Sequence, residues 1–292
     1  MKKFPSLFSI LIASTALFAC SEDPEPVPAC GVAECDSIAV ADLITAFSLD
    51  ETAGLKANDI DTWKGVSLQF FPIEKKFRVV GIEFNNASQK KGLAIPATVA
   101  NLTHMQSFIL KVTDCTKPVL DNAIFTLPLE KLVVCGTYAK TGGANELPYK
   151  SMGDVPADLM KLKSTVKDLQ LSLRLGGDIP AELADWNANI NLSDNAFTGM
   201  VPLFVRDFKN PLDLSGCQFT DMDWRIYTEE KGNIPNLTYN LLPVDVSDDI
   251  IEKFTEVLRT NYFPQYNLQG EVLPGNLPEE EPEEPEESED AE

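Results

Sequence analysis

Residue spacing predicts an α/β repeat solenoid built on short parallel strands, and three observations carry that prediction. The segment Ile190-x-Leu192-x-x-Asn195 returns 22 residues later as Leu212-x-Leu214-x-x-Cys217, and begins 21 residues earlier as Leu169-x-Leu171. Gly-x-Val-Pro or Gly-x-Ile-Pro groups end at Pro156, Pro180 and Pro202, with a variant from Gly92 through Ile95 to Pro96. Stretches of helical periodicity flank the repeats on both sides. Further strand starts are expected at Ile82, Leu110 and Leu132, so successive spacings are 28, 22, 37, 21 and 22 residues. The 37-residue interval calls for an insertion around Tyr138–Tyr149 or for one degenerate repeat.

Each element has a physical reason. Alternating apolar residues make a strand with one buried face, and the polar residue between them points outward. The inward Asn195 can bond the backbone of neighbouring coils through its amide. Cys115 and Cys217 are expected to hold the same place as small buried residues, rather than as redox or metal groups. A unit of this size leaves both apolar sides open, so units must stack and the ends must be covered. Upstream, residues 36–47 read as a short helix with Asp36 or Ser37 as its N-cap, followed by Trp63-x-Gly65-Val66 and a strand from Arg78 to Ile82. Downstream, Ile250, Ile251, Phe254, Val257 and Leu258 form one apolar stripe on a helix that starts after Ser247 and stops near Asn261 and Pro264.

These segments resemble plant-type leucine-rich repeats, whose pattern joins L-x-L-x-x-N to a G-x-I-P turn. The likeness covers residues 79–220. It implies strands on the concave face of a solenoid, an N-terminal helical cap over residues 36–78 and a C-terminal helical cap over residues 221–273. It also implies binding of a protein, peptide or glycan without naming one. The order of short helix, W-x-G-V and R-V-x-x-I is similar to the N-terminal cap of such proteins, without its paired cysteines near the tryptophan.

The first 19 residues have the layout of a signal peptide: Lys2 and Lys3, an apolar run from Leu7 to Phe18, then Ala19. Leu17-Phe18-Ala19-Cys20 resembles a bacterial lipobox, which makes Cys20 the expected acylated first residue of the mature chain. Residues 20–35, rich in proline and poor in apolar groups, read as a flexible tether. Its start, Ser21-Glu22-Asp23, resembles the export signal of surface lipoproteins in Bacteroidetes. The expected location is therefore the outer membrane, on the cell surface of a Gram-negative bacterium. Exported cysteines meet oxidising conditions, so Cys30 and Cys35 could close a small disulfide loop or stand as two free thiols.

Charge and composition narrow the function. With 45 acidic against 24 basic residues the net charge is −21, and a chain so negative repels nucleic acid. Residues 279–292 alone hold ten acidic groups, so segment 274–292 reads as a disordered acidic tail. Removing those ten negative charges and the leader's two lysines leaves −13 on the body. One histidine, His104, argues against triads and multi-histidine metal sites, and its place in a link between coils reads as an exposed loop. Asp245, Asp248 and Asp249 lack calcium-loop spacing and suit a helix N-terminus. No catalytic, metal-binding or cofactor motif is present.

The candidate ligand surface is the outward column Glu83, Lys111, Val133, Gln170, Asn191 and Asp213, with Asn85, Thr113, Cys135, Ser172, Ser193 and Ser215 beside it. Tyr138 and Tyr149, flanking a Gly-Gly turn in the insertion, are a second candidate surface. The expected function is a non-enzymatic, lipid-anchored recognition protein, with the membrane reached only through the lipid. A structural or assembly component of the envelope is the first alternative. A carboxylate-based hydrolase is the second, and would require an Asp/Glu pair held in one cleft. Mass spectrometry of the mature N-terminus should find Cys20 as a diacylated or triacylated first residue; a chain starting elsewhere without lipid refutes the anchor.

Overall fold

A computed structural model of the chain describes residues 31–138, 147–228 and 234–278. Cys20, Cys30, the leader, most of the tether, the Gly-Gly turn of the insertion and the acidic tail beyond residue 278 lie outside them. Helices α1 (Glu34–Ala46) and α2 (Leu49–Thr52) come first, then strands β1 (Val66–Phe71), β2 (Lys76–Ser88), β3 (Ser107–Cys115) and β4 (Lys131–Tyr138). Next are β5 (Asp168–Ser172), β6 (Asn189–Asn191), β7 (Thr198–Val201), β8 (Leu212–Asp213) and β9 (Gln218–Met222). The chain ends with α3 (Arg225–Thr228), α4 (Asp248–Val257), β10 (Gln265–Tyr266) and β11 (Val272–Leu273).

Seven strands make one sheet in the order β1-β2-β3-β4-β5-β6-β8. Only β1 is antiparallel; every later pairing is parallel, one strand per coil. The result is a mostly parallel, solenoid-like α/β fold. On the far side of each coil the prolines of the Gly-x-x-Pro groups do specific work. Pro96, Pro156, Pro180 and Pro202 each stand just before a 3₁₀ turn, with φ between −62° and −68°. Their fixed φ starts a turn whose inward residues, Val99, Leu159, Leu183 and Val205, are fully buried. The core lies between these turns and the inward faces of the strands.

A second wall is polar. Asn195, fully buried, accepts from the amides of Leu173 (3.1 Å) and Leu175 (2.8 Å), and donates to the carbonyls of Leu171 (2.6 Å) and Leu192 (2.8 Å). Cys217 takes the equivalent place one coil on and donates to Leu192 O at 3.4 Å. Asn240 repeats the pattern, accepting from Phe219 N and donating to Leu214 O and Leu237 O, and Gln265 then accepts from Asn240 N. Leu237-x-x-Asn240 therefore continues the repeat beyond residue 220, where the spacing predicts only a cap. Cys115 is buried as expected but falls two residues later in its coil than Cys217, for the register reason given below.

Two sequence expectations change. The 37-residue interval holds an insertion and no extra coil, because β4 pairs directly with β5, Leu132 opposite Leu169. Asp36 is not an N-cap: α1 begins two residues earlier, after Ala33 and without a side-chain cap. Asp36 is instead buried and accepts from Arg78 Nε (3.1 Å), Arg78 Nη2 (3.0 Å) and Val79 N (2.8 Å). The bidentate pair ties α1 to β2 across the first open edge of the stack. Helix α4 follows Ser247 as predicted, with Ile251 and Phe254 buried and a break in helical geometry at Phe254.

Replacing Asn195 with Ala strands two amides and two carbonyls in the core. It should cost about 3–5 kcal/mol in urea unfolding, whereas Asn195→Cys, which keeps a weak donor, should cost less. Equal midpoints for the three proteins would contradict the structural role of the amide.

Candidate functional site

The outward face of the sheet is set by register. Glu83 lies opposite Ile109, Ile109 opposite Val133, Val133 opposite Gln170, Gln170 opposite Asn191 and Asn191 opposite Asp213. Lys111 leaves the predicted column: it stands beside Cys135, with Ser172 next, and Thr113 stands opposite Ser88. The strand of this coil is set by Phe108, two residues before the predicted Leu110. A shift of two keeps the same side chains inward, so alternation cannot detect it; only the hydrogen-bonded neighbour does.

The column is polar at its later end and knitted together. Asn191 Nδ2 donates to Asp213 Oδ2 at 3.0 Å, and Asn191 Oδ1 accepts from Ser193 N at 2.9 Å. Asp213 Oδ1 accepts from Ser215 N at 3.0 Å, and Asn236 Oδ1 from Thr238 N at 3.2 Å. Each of these side chains caps the turn that follows its own strand, a local bond that Asn and Asp make readily. Ser172 and Ser193 hydroxyls are 3.3 Å apart beside them. Gln170, Asn191 and Asp213 remain half-exposed, and Glu83 and Lys111 are exposed. At the earlier end Ile109 and the nearly buried Val133 make the face apolar.

The two tyrosines of the insertion are brought together, though not as two free side chains. Tyr138, at the end of β4, is 8% exposed and its hydroxyl donates to Leu173 O. The Tyr149 hydroxyl lies 2.9 Å from Asn195 O and 2.7 Å from Gly216 O. Between the rings stands Arg174, its guanidinium carbon 4.7 Å from the Tyr138 centroid and 4.5 Å from that of Tyr149. Burial pushes both phenols above the ordinary range, so both stay protonated as donors. Arg174 stands five residues after Leu169, the offset that Asn195 and Cys217 take in their coils, so the spacing marks the position but not its contact with two rings from another segment.

Other predicted groups also settle. His104 is half-buried, not an exposed loop residue: its ring lies 4.2 Å from Phe71 and Nε2 is 3.1 Å from Glu74 Oε1. The hairpin turn carrying Glu74 folds over it, a long-range contact that local sequence does not show. Cys35 is exposed with its thiol 3.4 Å from Asp36 Oδ1, while its proposed disulfide partner Cys30 is outside the described residues. Burial pushes the Cys115 thiol up to about 12 and raises Cys217 as well. Among the described residues no group of three or more His, Cys, Asp or Glu is arranged to hold a metal ion, and no helix is long and apolar enough to cross a membrane.

No family model matches the sequence, and no curated protein does. Among solved structures, a plant ice-binding protein superposes with a TM-score of 0.49 at 17% identity, covering 81% of this chain and 79% of that one. The leucine-rich-repeat ectodomain of a receptor kinase from Arabidopsis thaliana gives 0.42 at 16% identity, covering 65% and 97%. A pollen receptor kinase gives 0.40 at 20% identity, covering 63% and 84%.

Thiol reactivity follows from the burial. After mild reduction, an aromatic disulfide reagent at pH 8 should label Cys35 in the folded chain and leave Cys115 and Cys217 untouched until denaturant is added. Peptide mass spectrometry reads the sites, and native labelling of Cys217 would overturn its place in the core.

Proposed function

We propose that this chain is a non-enzymatic, lipid-anchored recognition protein of a Gram-negative cell surface, binding a protein, peptide or glycan through the outward face of a leucine-rich-repeat sheet. One observation carries the reading: parallel pairing aligns Gln170, Asn191 and Asp213 in a single row, and hydrogen bonds hold the last two in fixed orientation. A row repeated at about 4.8 Å presents donors and acceptors to an extended ligand with little loss of side-chain freedom on binding. The row has no aromatic anchor, which suits hydrogen-bonded recognition of modest affinity.

In this reading α1, tied down by Asp36 and Arg78, and α4, with Ile251 and Phe254 inward, are the two helical caps of a solenoid whose strands line the concave face. Acylation of Cys20 would place the body beyond the bilayer at the end of the tether, and the leader sequence is the support for it.

Glycan-array and peptide-library binding should separate the face from the rest of the molecule. Gln170→Lys, Glu83→Lys and Lys111→Glu touch exposed or half-exposed positions, so their stability should stay within about 0.5 kcal/mol of the parent. Ligand binding should fall at least tenfold in Gln170→Lys. Unchanged binding in all three variants moves the site off this face.

A further inference from the structure

The arginines of this acidic chain sort by what holds them. Arg78 clamps Asp36 and Glu74, Arg206 lies beside Asp207, Arg225 on Asp223 and Arg259 on Glu256. Arg174 is the exception, sandwiched between two tyrosine rings, with no carboxylate or carbonyl of the described residues bonded to its guanidinium. The guanidinium carbon lies over both rings, and among the described residues no acceptor takes a hydrogen bond from its N–H donors. The rings themselves are bolted through their hydroxyls to Leu173, Asn195 and Gly216, so the cation is held in position before any ligand arrives. A half-buried cation with unused donors is completed by an oxygen pair in its plane, which a carboxylate supplies.

The edge on which it stands continues along the solenoid. Arg174, Asp194, Gly216 and Tyr239 occupy the turn after the strand in four successive coils, all with left-handed φ of 53°, 56°, 66° and 59°. At about 4.8 Å per coil, Tyr239 lies on the order of 14 Å from Arg174. Tyr149 covers the middle of that distance, and the Tyr239 and Tyr266 rings, 5.4 Å apart, end it with Tyr239 40% exposed. The backbone of this edge is already used: Asp194 N bonds Ser215 O, Gly216 N bonds Thr238 O and Tyr239 N bonds Pro264 O. The three amides of this edge are therefore not open to an extended peptide. The Tyr239 and Tyr266 rings and the carboxylate of Asp194, an exposed residue whose carboxyl is partly desolvated, match the C–H faces and hydroxyl donors of a sugar. The net charge of −21 repels a polyanion and so favours a ligand of low negative charge.

We propose that Arg174, fixed between Tyr138 and Tyr149, anchors a site for a saccharide bearing a single uronate carboxylate, with a further sugar ring laid on Tyr239 and Tyr266. This site is separate from the row of Gln170, Asn191 and Asp213, and either can fail without the other.

Titration calorimetry of the full mature chain tests it with a trisaccharide carrying one terminal glucuronate, and with the methyl ester of that trisaccharide. The acid should bind at least tenfold more tightly than the ester. Arg174→Gln should abolish the difference, and Arg174→Lys, which keeps the charge without the planar fork, should reduce it. Tyr239→Ala and Tyr266→Ala should weaken acid and ester alike and preserve their ratio. Circular dichroism melting confirms that each variant is folded, and the lysine variant decides if the glutamine variant is not. Equal affinity for acid and ester overturns the proposal, as does an acid affinity unchanged in folded Arg174→Gln or Arg174→Lys. Loss of trisaccharide binding in Gln170→Lys but not in the Arg174 variants also overturns it and returns the ligand to the sheet face. Arg174-dependent binding of an acetylated peptide with a free C-terminus, without trisaccharide binding, overturns the saccharide assignment.

Discussion

Everything in this molecule depends on how each coil satisfies its backbone where the strand ends and the chain turns back through the core. There the sheet's own hydrogen bonds stop, yet the peptide groups are still shielded from water, and an orphaned group at that depth costs on the order of 1–3 kcal/mol. Asn195 answers with one side chain for four peptide groups from two coils. Gln89 does related work early in the stack, accepting from Thr116 N and Lys117 N and donating to Leu93 O and Pro118 O. Asn240 and Gln265 carry it to the other end. Because each amide binds the coil beside its own, it fixes register as well as satisfying donors.

Register in turn makes a surface. Once Leu169, Ile190 and Leu212 stand opposite one another, the residue after each must do so too, and Gln170, Asn191 and Asp213 become a row. The same stacking superposes the left-handed turns that follow, which is why Arg174, Asp194, Gly216 and Tyr239 share an edge. A Cβ at Gly216, where φ is +66°, would come within 2.4 Å of Asp194 Oδ1, so a larger residue there has to displace that carboxylate. Two candidate surfaces thus come from one constraint, one on the strands and one on the turns.

The first edge of the stack is held differently. Asp36 and Arg78 form a buried, bidentate ion pair supplemented by Val79 N, Glu74 and Thr103. Such a pair contributes less net stability than its Coulomb attraction suggests, because both charges are desolvated, but losing one partner is costly. Its geometry fixes where α1 sits on β2, so it specifies position more than it adds stability.

The repeating part of this protein was legible in its residues because it is local. Two adjacent L-x-L-x-x-N or Cys segments and the Gly-x-x-Pro groups state a strand, an inward turn and a return on the far side within some twenty positions, and Ser247 with its apolar stripe states α4 equally well. What the sequence could not decide was anything defined between segments far apart in the chain. A two-residue shift in β3 keeps every side chain on its face, so only pairing with β4 moved Lys111 out of its column. Asp36 looks like a helix cap until Arg78, 42 residues away, is placed against it. Tyr138, Tyr149 and Arg174 have no common spacing, and the insertion brings them within ring contact only after β4 and β5 have paired. Periodicity records which face a residue takes; contact between coils depends on how they stack, and that is a property of the folded chain alone.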